Sequence, residues 1–402
     1  MPNLVEWNNC CGCGACANKC PKGAISMKPN KEGFLHPEID KDLCVECGAC
    51  EKACPGLAPT KKTGNKPQAF IVQHKNDAIR YQSTSGGAFT AIAEEIINRG
   101  GVVFGAAMID DLTVKHVCVN TIEDLARFRN SKYVQSVIGN CYKDAKERLA
   151  SGQWVCFSGT PCQINGLYKF LGKAYETLIA VDVVCKSVPS PLVFKKYIEY
   201  KKGIEGNISD VVFRDKKRGF LYCTMAHYAS HEDRQLSKDV YRRGSESDEW
   251  LRLFLSGKIS RRSCMSCPYQ TKERVGDFTL GDIWETGHTE LDDNKGSTLV
   301  HVWTEKGKAF LDSINANIRC VEYPIEKSRG AERINTLKVQ PNRDQLFEDA
   351  NNITADAFVE KYAPYTMKVR MKNTSRYLLW KFGLQNLVRH IKHLIIHRKL
   401  LL

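Results

Sequence analysis

The chain has 402 residues, 43% hydrophobic and 26% charged, with 59 Lys and Arg against 45 Asp and Glu for a formal charge of +14. That length exceeds one typical core, and the composition excludes a disordered or fibrous chain. No run of about 18 apolar residues exists to span a membrane.

No zinc-finger spacing or other nucleic-acid reader accompanies the positive charge, so nucleic acid is not an expected partner. The opening "MPNLVEWNNCCG" lacks a basic stretch followed by an apolar one, which makes the cytoplasm the expected location. Disulfides are rare there, so the 18 cysteines point to metal or redox chemistry.

The first 54 residues state that chemistry. Cys10, Cys13, Cys16 and Cys20 are followed by Pro21, and Cys44, Cys47, Cys50 and Cys54 by Pro55. Each run is the ferredoxin spacing C-x2-C-x2-C-x3-C-P, in which the fourth cysteine serves the other cluster. Two 4Fe–4S clusters follow: one on Cys10, Cys13, Cys16 and Cys54, the other on Cys44, Cys47, Cys50 and Cys20. Structural zinc is the bland alternative, but it usually takes two C-x2-C pairs per ion and fits two complete runs poorly. Cys11 has the wrong spacing for a ligand and reads as a spare thiol.

Residues 56–68, "GLAPTKKTGNKPQ", read as a linker. Apolar runs and helical patterns then alternate. "QAFIVQ" reads as a strand and "SGGAFTAIAEEIINRGG" as a helix ended by Gly100 and Gly101. "VVFGAAM" and "VKHVCV" read as strands, and "TIEDLARFR" opens with a capping box from Thr121 to Asp124. "CYKDAKERLASG" reads as a helix, "WVCFS" as a strand, "QINGLYKFLG" as a helix and "TLIAVDVV" as a strand. This order predicts an α/β domain with a mixed, mainly parallel sheet.

Two strand-to-helix loops stand out. "STSGGAF" offers helix N-terminal amides to a phosphate, or is a plain cap. "FSGTPCQ" offers a thiol, Cys162, at the turn. Cys185 ends the strand "VDVVC", and strand ends of a parallel sheet converge at one edge. With the C-x2-C pair Cys264 and Cys267, these make a third metal site, for which spacing leaves both iron–sulfur and zinc open. Cys118, Cys141, Cys156 and Cys223 read as core residues, and Cys320 carries no signal. His227, His231 and His288 lie in no motif and read as solvated loop histidines. No catalytic residue is assigned.

In this order "STSGGAFTAI", "SKYVQS", "FSGTPCQINGL", "VDVVC", "SCMSCP" and "RVGDFTLGDIW" resemble the coenzyme F420 hydrogenase/dehydrogenase beta-subunit family over roughly residues 68–345. The resemblance implies an α+β dicluster ferredoxin domain of bacterial type over 1–60. An α/β flavoprotein region with a mixed sheet follows over 68–200. A C-terminal-type region over 201–345 completes the cluster and substrate site, and 346–402 form a basic helical tail. It implies FAD near "STSGG", contacted by Ser85, Gly86, Gly87 and Ala88, then by Lys132 and Tyr133. It implies a third 4Fe–4S cluster on Cys162, Cys185, Cys264 and Cys267, with Gly281 and Asp282 close by.

The implied activity is an FAD- and iron–sulfur-dependent oxidoreductase. It would exchange electrons with a soluble partner such as ferredoxin and a hydride with a small organic substrate, coenzyme F420 or a polysaccharide-pathway intermediate. The segment "KSVPSP" after Cys185 departs from many relatives, which leaves the substrate unassigned. The alternative is an electron-transfer protein that only relays electrons to a partner enzyme.

From Lys372 to the end there are seven Lys or Arg and no acid. Leu384, Leu387, Val388, Ile391, Leu394 and Ile395 share one helical face. Arg389, Lys392, His393, Arg398 and Lys399 populate the other, with Trp380 near the start. This tail is expected either to pack on the protein or to contact a membrane surface peripherally.

Overall fold

The computed structural model describes residues 1–60, 66–270, 273–284, 290–328, 337 and 339–388. The N-terminal module holds two short helices, Ala15–Lys19 and Ala49–Lys52, and an antiparallel pair, β1 (Ile25–Pro29) and β2 (Leu35–Ile39). Each helix starts at a left-handed glycine, Gly14 (φ 73°) and Gly48 (φ 68°), a conformation that a side chain rarely tolerates.

The body is built on β3 (Gln68–His74), β4 (Val102–Met108), β5 (Val114–Val119), β6 (Val155–Gly159), β7 (Leu178–Val183), β8 (Asp210–Asp215), β9 (Thr224–Tyr228), β10 (Tyr241–Gly244), β11 (Phe278–Ile283), β12 (Ser297–Val302) and β13 (Ile318–Tyr323). Eight of these form one mixed sheet in the order β13-β3-β12-β11-β7-β6-β4-β5. β11, β7, β6 and β4 run parallel at its centre, and the outer pairs are antiparallel. β8, β9 and β10 make a separate antiparallel sheet.

One face of the large sheet is covered by helix Ala88–Asn98, whose Ala91, Ile92 and Ile96 meet Val103, Val181 and Val300. On the other face helices Cys141–Ala150 and Pro161–Leu171 bring Tyr142, Ile164, Leu167 and Phe170 onto Phe104, Phe157 and Leu178. A third core gathers Phe194, Phe213, Met225, Trp250, Phe347 and Phe358 from helices and strands of the C-terminal half.

The strand and helix order of 68–184 stands as expected, with two differences. A short helix, Asp77–Gln82, precedes the "STSGG" loop, and the Thr121 box starts a 3-10 turn, Glu123–Phe128, in place of an α-helix. The boundary placed at 200 cuts helix Pro191–Glu205, and the one at 345 cuts helix Arg343–Asn352. β11, β12 and β13 complete the sheet begun by β3, so that sheet draws on strands from Gln68 to Tyr323, with the separate sheet of β8, β9 and β10 inserted between β7 and β11. Sequence periodicity carries no information on which distant strand pairs with which.

The expected tail is also shorter. Leu346, Phe347, Phe358 and Val359 are buried core, on helices Arg343–Asn352 and Ala355–Tyr362. Helix Met367–Lys381 buries no residue, and Arg218 lies 5.0 and 5.2 Å from the rings of its Tyr377 and Trp380. Leu384, Leu387 and Val388 are described; Arg389, Ile391, Lys392, His393, Leu394, Ile395, Arg398 and Lys399 lie outside the described residues. Among the described residues no helix is long and apolar enough to cross a membrane.

Two side-chain assignments are corrected. His227 is fully buried, not solvated: it stacks on Tyr241 at 4.6 Å and bonds Tyr197 and Glu205 at 3.1 Å. β9 pairs on both sides and is buried along its whole length. Cys118 is exposed, on edge strand β5, whereas Cys141, Cys156 and Cys223 are buried as expected. His231 is exposed, and His288 lies outside the described residues.

The N-terminal module is fastened to the body by buried polar contacts. Glu32 takes both terminal nitrogens of Arg343 at 2.6 and 2.7 Å, with 2% and 1% of the two side chains exposed. Lys19 donates to Phe170 O at 2.7 Å, and Gln135 accepts from Leu35 N at 3.0 Å. Truncating one partner of such a pair strands a buried charge. Glu32→Ala is therefore expected to cost about 3–5 kcal/mol in denaturant unfolding, and Glu32→Ala with Arg343→Met distinctly less. Equal losses would show that no buried pair fastens the module.

Candidate functional site

In each of two cavities three cysteines of one run meet the last cysteine of the other. Cys20, Cys44, Cys47 and Cys50 line one cavity, together with Pro21 and Val45. Cys10, Cys13, Cys16 and Cys54 line another, together with Cys11, Leu4, Val5 and Met27. The first faces outward, since Cys47 is exposed; the second lies inward, with Cys10, Cys13, Cys16 and Cys54 all buried. Burial pushes the Cys16 thiol up to about 12, so a bound metal is what would hold it as thiolate at neutral pH.

The inner cavity abuts the body. Helix Pro161–Leu171 passes so close that a methyl group on Gly166 would sit 2.9 Å from Cys13 Sγ. Cys162 is in the first turn of this helix, which is capped by Thr160 and Gln163, and Thr160 Oγ1 lies 3.1 Å from its sulfur. Cys185 follows β7, the parallel neighbour of β6, so both thiols sit at one edge of the sheet as expected. The 3-10 turn Arg262–Cys264 brings Cys264 under Val188, whose N–H donates to the sulfur at 3.4 Å. The thiol of Cys162 has Cys267 as an electrostatic neighbour, and that of Cys185 has Cys264 and Cys267.

The four residues are thus brought together, and a fifth joins them. Cys11, read from spacing as spare, places its thiol against both Cys13 and Cys162. Among the described residues no three Cys, His, Asp or Glu groups converge tightly enough for a single ion.

The implied flavin site lies at the other loop. Gly86 approaches the sheet so closely that any side chain would collide with Val72 and Thr298, and its N–H donates to Thr298 Oγ1 at 2.9 Å. The expectation that this amide is free for phosphate is therefore corrected. Gly87 (φ 87°) starts helix Ala88–Asn98 with no side-chain cap. Ser85 is held through its hydroxyl by Thr298 at 3.1 Å and through its carbonyl by Lys216 Nζ at 2.8 Å. Lys132 turns its ammonium to the carbonyls of Arg127 and Arg129 at 2.8 and 2.9 Å, and burial pushes it down to about 7.

Two cations here escape a reading of the sequence. Arg214 of β8 donates to Asp282 at 2.8 Å and to Tyr133 at 3.3 Å and has the Cys223 thiol beside it, while its buried Nε and Nη2 have no nitrogen or oxygen partner among the described residues. Its guanidinium stands 5.2 Å from the Trp284 ring, which stacks on Phe220. Lys216 bonds the carbonyls of Arg80, Ser85 and Lys295, and burial pushes it down to about 7. The one available signal is "VVFRDKKRGF", charges directly continuing an apolar strand. Asp282 lies within β11 rather than in a turn, and Gly281 packs against Val184 beside Cys185. Unpaired buried donors beside a tyrosine and a tryptophan fit an anionic, planar cofactor better than an empty core.

Comparison with known proteins matches two parts of the chain to families. The C terminus of the coenzyme F420 hydrogenase/dehydrogenase beta subunit, as a family, matches residues 152–328, and the 4Fe-4S dicluster domain family matches residues 9–58. The coenzyme F420-dependent sulfite reductase of Methanocaldococcus jannaschii is 28% identical over 171 residues, 42% of this chain and 26% of that protein. The chain thus matches about a quarter of that relative's length. One subunit of the F(420)H(2) dehydrogenase of Methanosarcina mazei is 24% identical over 339 residues, 81% of this chain and 87% of that protein. A chain of the F420-reducing nickel–iron hydrogenase complex of Methanosarcina barkeri superposes with a TM-score of 0.45 at 16% identity, covering 75% of this chain and 94% of that one. Behind its 4Fe–4S dicluster domain, this chain carries the C-terminal domain of the coenzyme F420 hydrogenase/dehydrogenase beta-subunit family.

Proposed function

We propose that the chain is an iron–sulfur flavoprotein oxidoreductase that links a one-electron protein partner to a two-electron organic substrate, coenzyme F420 or another small molecule. The observation that carries this reading is the succession of thiol sets: an outer cavity at exposed Cys47, an inner one at Cys13, and a third set starting at Cys162, with Cys11 between the last two. Flavin, when bound, exchanges single electrons with clusters and pairs with substrate. The chain's own residues do the rest. Cysteine thiolates hold iron. Ser85, Gly87 and Ala88 present a backbone turn. Arg214 supplies positive charge and two unused donors, Tyr133 and Trp284 supply rings, and Lys216 fixes the loop.

A relay role without a substrate site is the second reading, favoured by the likeness over most of both chains to a protein that is one part of a dehydrogenase. A purified chain that reduces a soluble substrate by itself decides for the enzyme.

Three outcomes are expected. Anaerobically purified protein should contain about 12 iron atoms per chain, four for each cubane. About eight iron with one zinc would remove the third cluster and spare the other two. Arg214→Met should weaken flavin retention at least tenfold, about 1.4 kcal/mol, with Arg214→Lys recovering part of it. Full retention in the Met variant would take Arg214 out of the flavin site. Cys47→Ser should abolish turnover with a reduced ferredoxin as donor while leaving turnover with a small dye that reaches the flavin. Equal loss with both donors would mean that the outer cluster is not the point of entry.

A further inference from the structure

We propose that Arg261 sets the reduction potential of the cluster held by Cys10, Cys13, Cys16 and Cys54, as a buried positive group that no carboxylate neutralises. This rests on the reading of those four thiols as cluster ligands.

Arg261 is 2% exposed, yet its side chain has only neutral partners among the described residues. Nε donates to Cys10 O at 2.6 Å, and Nη2 donates to Leu35 O at 2.8 Å and to His36 at 2.9 Å. Its Phe34 neighbour is an aromatic ring at 5.3 Å. Nη1 is buried with no partner among the described residues. The nearby carboxylate Glu32 is committed to Arg343 and Arg262. Burial and the guanidinium itself push His36 down to about 4, so His36 is neutral and accepts.

An isolated buried cation is costly, and a native fold retains one where an anion offsets it. Here the anion is supplied by thiolates. The orphan Nη1 presses on the ligand loop: a methyl group on Gly12 (φ 68°) would sit 2.6 Å from it. The guanidinium is an electrostatic neighbour of the Cys10 and Cys264 sulfurs. Its backbone belongs to the other site, since Arg261 N donates to Val188 O at 2.9 Å and Cys264 N donates to Arg261 O at 3.0 Å. Four thiolates on a cubane leave a net negative charge, and reduction adds one electron. A fixed cation at this distance stabilises the reduced form more than the oxidised one, so it raises the potential. Electrons arriving from the outer cluster would be drawn inward, toward the third site.

The test is a dithionite titration of the holoprotein followed by electron paramagnetic resonance, with iron counted in every sample. Arg261→Met should shift the reduction equilibrium of one cluster at least tenfold toward the oxidised form, 59 mV for a one-electron couple, at unchanged iron content. Arg261→Lys, which keeps the charge, should shift it less. His36→Asp leaves Arg261 in place and gives it an acid partner, so it should move the same couple in the same direction. It also decides the matter if the Met variant fails to load iron. Unmoved potentials in an iron-replete Met variant or in His36→Asp would overturn the proposal and leave Arg261 a structural tether. An unmodified chain short of about four iron atoms per chain, with no inner-cluster signal, would overturn the ligand assignment as well.

Discussion

The N-terminal sixty residues have almost no apolar core of their own. Their buried positions are taken by cysteines: the small cluster inside the module consists of Cys16, Ile25 and Cys50, with Leu4, Met27 and Ile39 packed against it. A module of that size does not bury enough carbon to fold by the hydrophobic effect alone, and such domains use metals as staples. The two cavities, lined by four thiols and by five, are where such a staple would sit. Apart from the metal, the module's order depends on its footing on the body. Cys13 and Ala15 belong to the core cluster of helix Pro161–Leu171, and Glu32 and Cys10 are tied to Arg343 and Arg261, far along the chain.

That footing fixes the spacing of the thiol sets. Gly166 has no side chain because Cys13 occupies the place where one would be. The first turn of the same helix carries Cys162, so one rigid element positions the inner cavity and the third thiol set together. A flexible linker between module and body would leave electron transfer to chance encounters. Here one helix of the body meets the module at Cys13, and Cys47 of the outer cavity is exposed.

How much of this is readable from sequence follows from the range of each interaction. The eight module cysteines are legible because the spacing of each run is local, and the exchange of Cys20 and Cys54 is a known consequence of that spacing. Cys162 and Cys185 are legible because parallel strands deliver their ends to one edge. Spacing sets Cys11 aside, since nothing local shows that helix Pro161–Leu171 passes over it. Arg261 and Arg214 are invisible for the same reason: their partners Cys10 and Asp282 lie 251 and 68 residues away. His227 reads wrongly as a loop residue because β9 pairs with both β8 and β10, which no motif announces.

The glycine loop shows why a motif and a contact need separate reasons. "STSGG" has the composition of a phosphate cradle, but Gly86 is already required by its approach to Thr298 and Val72, and its amide is already satisfied. A glycine explained by packing no longer speaks for a ligand. The loop retains the uncapped start of helix Ala88–Asn98 at Gly87, one turn of backbone with weak claims of its own. Arg214 makes the stronger claim. A guanidinium that is nearly buried and uses one nitrogen on Asp282 and Tyr133 still carries N–H groups with no nitrogen or oxygen partner among the described residues. In this fold the charged, planar part of a bound cofactor is better sought beside Arg214 than at the glycines that first suggest it.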